Sequence, residues 1–182
     1  LKNLDPEKGE IISKVSVQTG TSHGGVVNPD GTLKEMSVDF GVLSSIGKVA
    51  REKYRMAGTV QHGASTLPKE NFDKFPENKT CEIHLATGFQ NIIFDTIPES
   101  LREKLYEYVR NNYQKEKEEG WEDAQFIYKL RKKSLGPHKM DLWLISENEK
   151  DIIRTRIADE IELLFANLNI TGTAHTVRKY IG

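Results

Sequence analysis

Two rhythms alternate along the first two thirds of the chain. Short runs rich in β-branched residues, at Ile11–Val17, Ala57–Gln61 and Cys81–Leu85, have the length and composition of strands. Each runs straight into a loop of glycine, hydroxyl and imidazole residues: Thr19-Gly20-Thr21-Ser22-His23-Gly24-Gly25, His62-Gly63-Ala64-Ser65 and Ala86-Thr87-Gly88. Between them the apolar spacing lengthens to that of a helix. Asp39 caps one whose face is Leu43, Ile46, Val49 and Ala50, ending near Tyr54. Pro68 opens a short helix to about Phe75, with Thr66 as its cap. Another helical stretch begins near Phe89. Pro98 then starts a helix with Leu101, Leu105, Tyr108 and Val109 on one face.

Strand, loop and helix repeated three times predict an α/β fold with a parallel sheet. In such sheets ligands bind at the carboxyl ends of the strands, where all three loops fall. The character changes after about residue 118. A charged run, Gln114–Glu119, closes the long helix, and Trp121–Leu135 forms a further one stopped by Gly136-Pro137. Ser146 and Glu149 have the spacing of a capping box, ahead of a helix whose face is Ile153, Ile157, Ile161, Leu164, Phe165 and Leu168. The expected division is therefore 1–118, the βα units, and 119–182, a helical extension packed on them or on a partner subunit.

Composition narrows the function classes. In 182 residues, 26 Lys and Arg stand against 27 Asp and Glu, for a formal net charge of -1. That balance argues against nucleic acid or an anionic membrane as the main partner. No apolar run approaches the ~18 residues a spanning helix needs. The single cysteine, Cys81, has no internal disulfide partner, which points to a reducing, cytoplasmic setting. Lying in a strand with no basic helper, it reads as an inert buried thiol. The chain opens with Leu1, in charged, loop-like text, as a fragment or a processed chain would.

The chemistry lies in the loops. Of five histidines, His23, His62 and His84 sit at or near strand ends, where imidazoles from adjacent strands can converge on one zinc ion. The glycines after His23 and His62 let backbone N–H groups approach a phosphate, and Ser65 and Thr87 add hydroxyls. A metal beside a phosphate cradle suits a sugar phosphate. Each of these residues also has an ordinary reading as a loop residue of an α/β fold. Arg131-Lys132-Lys133 reads first as a solvated helix face and second as a group reaching a substrate phosphate. Trp121, Phe126 and Tyr128 read as packing of the extension. His138 and His175 take no role.

Taken together the loops resemble those of class II, metal-dependent fructose-bisphosphate aldolases. Val17-Gln18-Thr19-Gly20-Thr21-Ser22-His23-Gly24 is similar to that family's sixth-strand loop, and Val60-Gln61-His62-Gly63-Ala64-Ser65 to its seventh. Glu82-Ile83-His84-Leu85-Ala86-Thr87-Gly88 is similar to its eighth-strand segment. The likeness covers about residues 11–110.

The resemblance implies a (β/α)8 TIM barrel, of which the chain holds the last three βα units and a helical C-terminal extension. It also implies that His23 and His62 are metal ligands for Zn2+ or another divalent ion. Gly24, Gly63, Ala64, Ser65, Ala86 and Thr87 would surround the substrate phosphate. His84 replaces an asparagine that hydrogen-bonds the enediolate, Gly88 replaces an aspartate and Val27 a lysine. No residue matches the catalytic aspartate or the third zinc histidine. The implied activity is a lyase of glycolysis or gluconeogenesis. It cleaves a ketose bisphosphate such as fructose 1,6-bisphosphate to dihydroxyacetone phosphate and glyceraldehyde 3-phosphate, and the isolated chain is expected to be inactive. The implied partners are the sugar phosphate, the remainder of the barrel and a second subunit. A non-catalytic sugar-phosphate-binding module, or an inactive fragment of such a barrel, is the alternative.

Overall fold

The computed structural model describes residues 12–22 and 24–181. Three short parallel strands lie in the order β1-β2-β3: β1 (Val15–Ser16), β2 (Thr59–Gln61) and β3 (Glu82–Ile83). Val15 is in register with Thr59, and Val60 with Glu82. β2 is the middle strand and is buried along its length, while β1 and β3 have no second neighbour among the described residues. The paired segments are shorter than the apolar runs because a ladder lasts only while both neighbours stay extended. The glycine loops end it.

Helix α1 (Phe40–Tyr54) follows β1, and Asp39 caps it by accepting the Val42 N–H at 3.0 Å. Its C-terminus closes on Arg55 in the left-handed conformation. Leu43 and Ala50 turn inward, whereas Ile46 and Val49 of the expected apolar face remain exposed.

Between β1 and α1 the chain makes a small hairpin, with a bridge from Val27 to Leu33 around the Asn28-Pro29-Asp30-Gly31 turn. Its Asp30 carboxylate accepts the Thr32 N–H and hydroxyl, which holds its pKa below the ordinary aspartate value.

After β2 the expected helix from Pro68 to Phe75 is replaced by a 3-10 turn at Lys69–Asn71 and the short α2 (Lys74–Glu77). A continuous helix would need an N–H at residue 76 to reach the Phe72 carbonyl, and Pro76 has none. Thr66 does not cap this segment; its hydroxyl is buried without a hydrogen-bond partner among the described residues. Phe72 and Phe75 are fully buried, and they form one core with Leu43, Ala64, Leu67 and Leu164.

Beyond β3 come α3 (Thr87–Thr96) and α4 (Glu99–Tyr113), then α5 (Asp123–Leu130), α6 (Lys139–Trp143), α7 (Glu147–Asn167) and α8 (Ala174–Ile181). The capping box opening α7 forms as the spacing predicts, with Ser146 and Glu149 exchanging hydrogen bonds. Leu164 of α7 is buried in the core beneath the sheet, but Phe165, expected on the same face, is 48% exposed. Val109 of α4 packs with Phe126, Ile127 and Leu130 of α5, with Trp121 at its edge. The helical extension is thus bound to the βα units through apolar surface. Among the described residues no helix is long and apolar enough to cross a membrane.

Cys81 corrects one expectation. The residue is exposed rather than buried. Its thiol donates to the Thr59 carbonyl at 3.2 Å, and partial desolvation of the sulfur pushes its pKa up, so it remains a poor nucleophile.

Candidate functional site

The loop after β2 is fixed from inside the sheet. Gln61, the last residue of β2, is fully buried. Its amide oxygen accepts the Thr19 hydroxyl at 2.8 Å, and its amide nitrogen donates to Thr21 Oγ1 at 2.9 Å and to the His62 carbonyl. Thr21 closes the circuit by donating its own hydroxyl to the same His62 carbonyl at 2.8 Å. Three side chains from two strand ends therefore lock the loop after β1 against the loop after β2. All three are buried, where an unmade hydrogen bond would be costly.

The next residue must be glycine. Gly63 has φ +70, and a Cβ there would stand 3.1 Å from Thr21 Oγ1 and 3.2 Å from the Ser22 backbone. Ser22 thus packs against Gly63, and Gly24 lines the same cavity as His62. The residues on either side of position 23 border the His62 loop; His23 itself, one of the two expected metal ligands, lies outside the described residues.

This cavity, of about 590 Å3, opens at the carboxyl ends of β2 and β3. His62, Gly63 and Ser65 contribute from one strand end, and His84, Ala86 and Thr87 from the next. The His62 and His84 rings lie 4.3 Å apart, centroid to centroid. Ser65 Oγ accepts the Ala86 N–H at 2.7 Å, which joins the second loop to the third and leaves the Ser65 hydroxyl proton to be donated elsewhere. Ala64, expected among the phosphate contacts, is fully buried and does not line the cavity, so any part it plays is through its backbone. Gly88 also has a local reason. A Cβ there would stand 3.0 Å from the Ser65 carbonyl oxygen, so the first turn of α3 can approach that loop only without a side chain.

Glu82 belongs to the site, and the sequence reading passed over it. It lines the cavity, pairs with His84 Nε2, and accepts a hydrogen bond from Lys14. Those hydrogen bonds, the one from Lys14 first and the one from His84 second, hold its carboxyl below the usual glutamate range. The strand period of two was the available signal, because it sets Glu82 and His84 on one side of β3. The pairing also changes what His84 can do. An ionised carboxylate only accepts, so Nε2 carries the proton, and a neutral His84 presents Nδ1 as an acceptor. The hydrogen-bond donor expected at this position is therefore present only in the imidazolium form.

As a metal site the arrangement is partial. Among the described residues no three of His, Cys, Asp and Glu converge closely enough to hold an ion. His62 and His84 supply imidazoles to one cavity, and the donor chemistry suits zinc, but a complete shell needs ligands from beyond the described residues. The chain matches no protein-family model and no curated protein.

Arg131 departs furthest from its expected place. The helix after Trp121 changes at residue 131 into a 3-10 turn, Arg131–Ser134. Residues three apart are neighbours on a helix surface, and Arg131 lies over Tyr128 instead of in solvent. Its guanidinium lies 4.3 Å from the Tyr128 ring centroid and 4.5 Å from that of Phe94, and donates to Asn91 Oδ1 at 2.6 Å. Lys132 stays solvated, as expected, while Lys133 pairs with Glu116.

Proposed function

We propose that this chain supplies part of the active site of a metal-dependent aldolase of the class II fructose-bisphosphate kind. The reaction is reversible cleavage of a ketose bisphosphate, such as fructose 1,6-bisphosphate, to dihydroxyacetone phosphate and glyceraldehyde 3-phosphate. One observation carries the reading: His62, Ser65, His84 and Thr87, with Gly63 and with Gly24 from the loop after β1, border a single cavity at the carboxyl ends of the parallel strands β2 and β3. Three βα units whose outer strands β1 and β3 have no second neighbour among the described residues are also what the last part of a (β/α)8 barrel presents to its remaining strands.

His62 and His23 would hold the metal, with the remaining ligand supplied by an earlier strand of the barrel. A bound divalent ion supplies Lewis-acid polarisation of the substrate carbonyl. The chain's own residues do the rest. Backbone N–H groups at Gly24, Gly63 and Ala64 and at the start of α3 face a phosphate, and the N-terminal end of that helix favours its charge. The Ser65 hydroxyl, held by the Ala86 N–H, has its proton free to donate to a phosphate oxygen. His84, oriented by Glu82, accepts a hydrogen bond at Nδ1 from a substrate hydroxyl. No residue of the chain is assigned the aspartate's proton abstraction, so the 182 residues alone bind substrate without turning it over. A cytoplasmic location accords with this reading.

Calorimetric titration of the zinc-loaded chain with fructose 1,6-bisphosphate tests the assignment. Binding that is lost in His62→Ala supports it. Binding that is unchanged in His62→Ala, or independent of zinc, removes the metal from the reading and leaves a sugar-phosphate-binding module.

A further inference from the structure

A cavity of about 610 Å3 lies among α3, α6 and α7 and shares no lining residue with the site at the strand ends. Ile97, at the end of α3, is buried in a core with Phe94 and Leu105 and forms the floor. Ile93, Leu135, Leu142 and Ile153 pack on that core and remain half-buried, so their outer surfaces are the walls. Ile145 and Trp143 complete the apolar lining, and Trp143 is 65% exposed. The volume is that of a small-molecule site.

Two observations say what such a space takes. Apart from the indole N–H, its side chains offer no hydrogen-bonding group except three cations, Lys139, Lys150 and Arg154, and no aspartate or glutamate lines it. A polar group entering between the aliphatic walls would give up water without an answering partner, whereas a hydrocarbon chain gives up nothing. Charge then sets the other end of the ligand. Glu147 holds Lys150 and Asp151 holds Arg154, each at 2.6 Å. Lys139 is exposed and pairs with no carboxylate among the described residues; its ammonium lies 5.5 Å from the Trp143 ring centroid, at the mouth. One unanswered positive charge beside an aliphatic hollow fits one negative charge on an aliphatic body. The exposed α8 of a second copy, with Arg178 and Lys179 and no acidic residue, would meet it with like charge.

We propose that this cavity binds a free fatty acid, with the acyl chain on Ile97, Leu142 and Ile153 and the carboxylate on Lys139. The inference goes beyond the aldolase reading and does not require it, because no residue assigned to the metal or to the sugar phosphate takes part.

The test is titration of the full chain with laurate, below the concentration at which it forms micelles, followed by fluorescence. The sequence holds two tryptophans, so in a Trp121→Phe background Trp143 alone reports. Saturable binding of one laurate per chain is expected, with a blue shift of the Trp143 emission as the acyl chain covers an exposed indole. Affinity should rise about fourfold for each methylene added from octanoate to laurate, the scale of one buried CH2. Lys139→Gln should weaken laurate about fivefold, the scale of one partly screened charge contact. The same substitution should leave dodecanol, a chain of equal length without the charge, unaffected. Ile153→Asn should abolish binding of both; should that variant unfold, the methylene series and the dodecanol comparison decide alone. Absence of saturable binding, several laurates per chain, indifference to chain length, or equal weakening of laurate and dodecanol by Lys139→Gln would each overturn the proposal. A Trp143 emission that shifts with protein concentration before any ligand is added would also overturn it, and would assign this face to a second copy.

Discussion

On the sheet side of the wall formed by Gly24, Ala86 and Thr87, the cavity is held by polar chemistry; on the helical side, the neighbouring cavity is held by packing. The first takes its shape from Gln61, Thr19 and Thr21, three buried polar side chains whose hydrogen bonds leave little play between the loops. The second takes its shape from Val109, Phe126, Ile127 and Leu130, with Arg131 laid over Phe94 and Tyr128. The difference teaches where each region is vulnerable. A buried polar network fails when one member is removed, because its partners are left unsatisfied. A region resting on apolar packing tolerates loss of the polar groups at its mouth.

The sharpest way to break the comparison is at the ligands themselves. His62→Ala should abolish zinc-dependent binding of fructose 1,6-bisphosphate, at least a hundredfold by titration calorimetry, with little effect on the helical side.

Next in size is the support beneath that histidine. Gln61→Leu leaves the Thr19 and Thr21 hydroxyls without their partner, and should destabilise the fold by about 2–4 kcal/mol in urea unfolding. A cost below about 1 kcal/mol would show that the loops are not held in this way.

Backbone conformation comes third. Gly63→Ala places a side chain in the left-handed region and against Ser22, and should cost about 1–2 kcal/mol from the conformation alone. The same change at Gly136, where a Cβ meets nothing within 4 Å, serves as the control.

The smallest effect concerns pH. Folding holds the Glu82 carboxyl below its ordinary range, so its contribution is complete above the ordinary carboxylate pKa and is lost as pH falls through the lower folded value. Glu82→Gln should therefore flatten the acid limb of stability against pH, and a limb of unchanged slope would remove Glu82 from the account.

What was legible in the sequence divides along the same wall. Asp39, and Ser146 with Glu149, marked their helices because capping is a local interaction written within four residues. The three loops were legible as a set because parallel strands bring their carboxyl ends to one edge whatever the ladder length. The strands themselves were read too long, since pairing depends on neighbours that the local pattern does not record. Glu82 belongs to no loop motif, and only the strand period, which sets it beside His84, marks it. Arg131 departs from its pattern for a different reason. A basic triplet on a helix is ordinarily solvated, and the Phe94 ring and Asn91 amide of α3 that meet its first member are brought there by tertiary packing, which local composition and periodicity do not record.

The central claim is that His62 is a metal ligand in a sugar-phosphate cavity, and zinc titration followed at the histidine side-chain resonances tests it most directly. The account predicts that zinc shifts the His62 imidazole, saturating at about one ion per chain, and that subsequent dihydroxyacetone phosphate perturbs His84 across the same cavity. Zinc that leaves the His62 resonances unmoved, or that binds as tightly to His62→Ala, would contradict it.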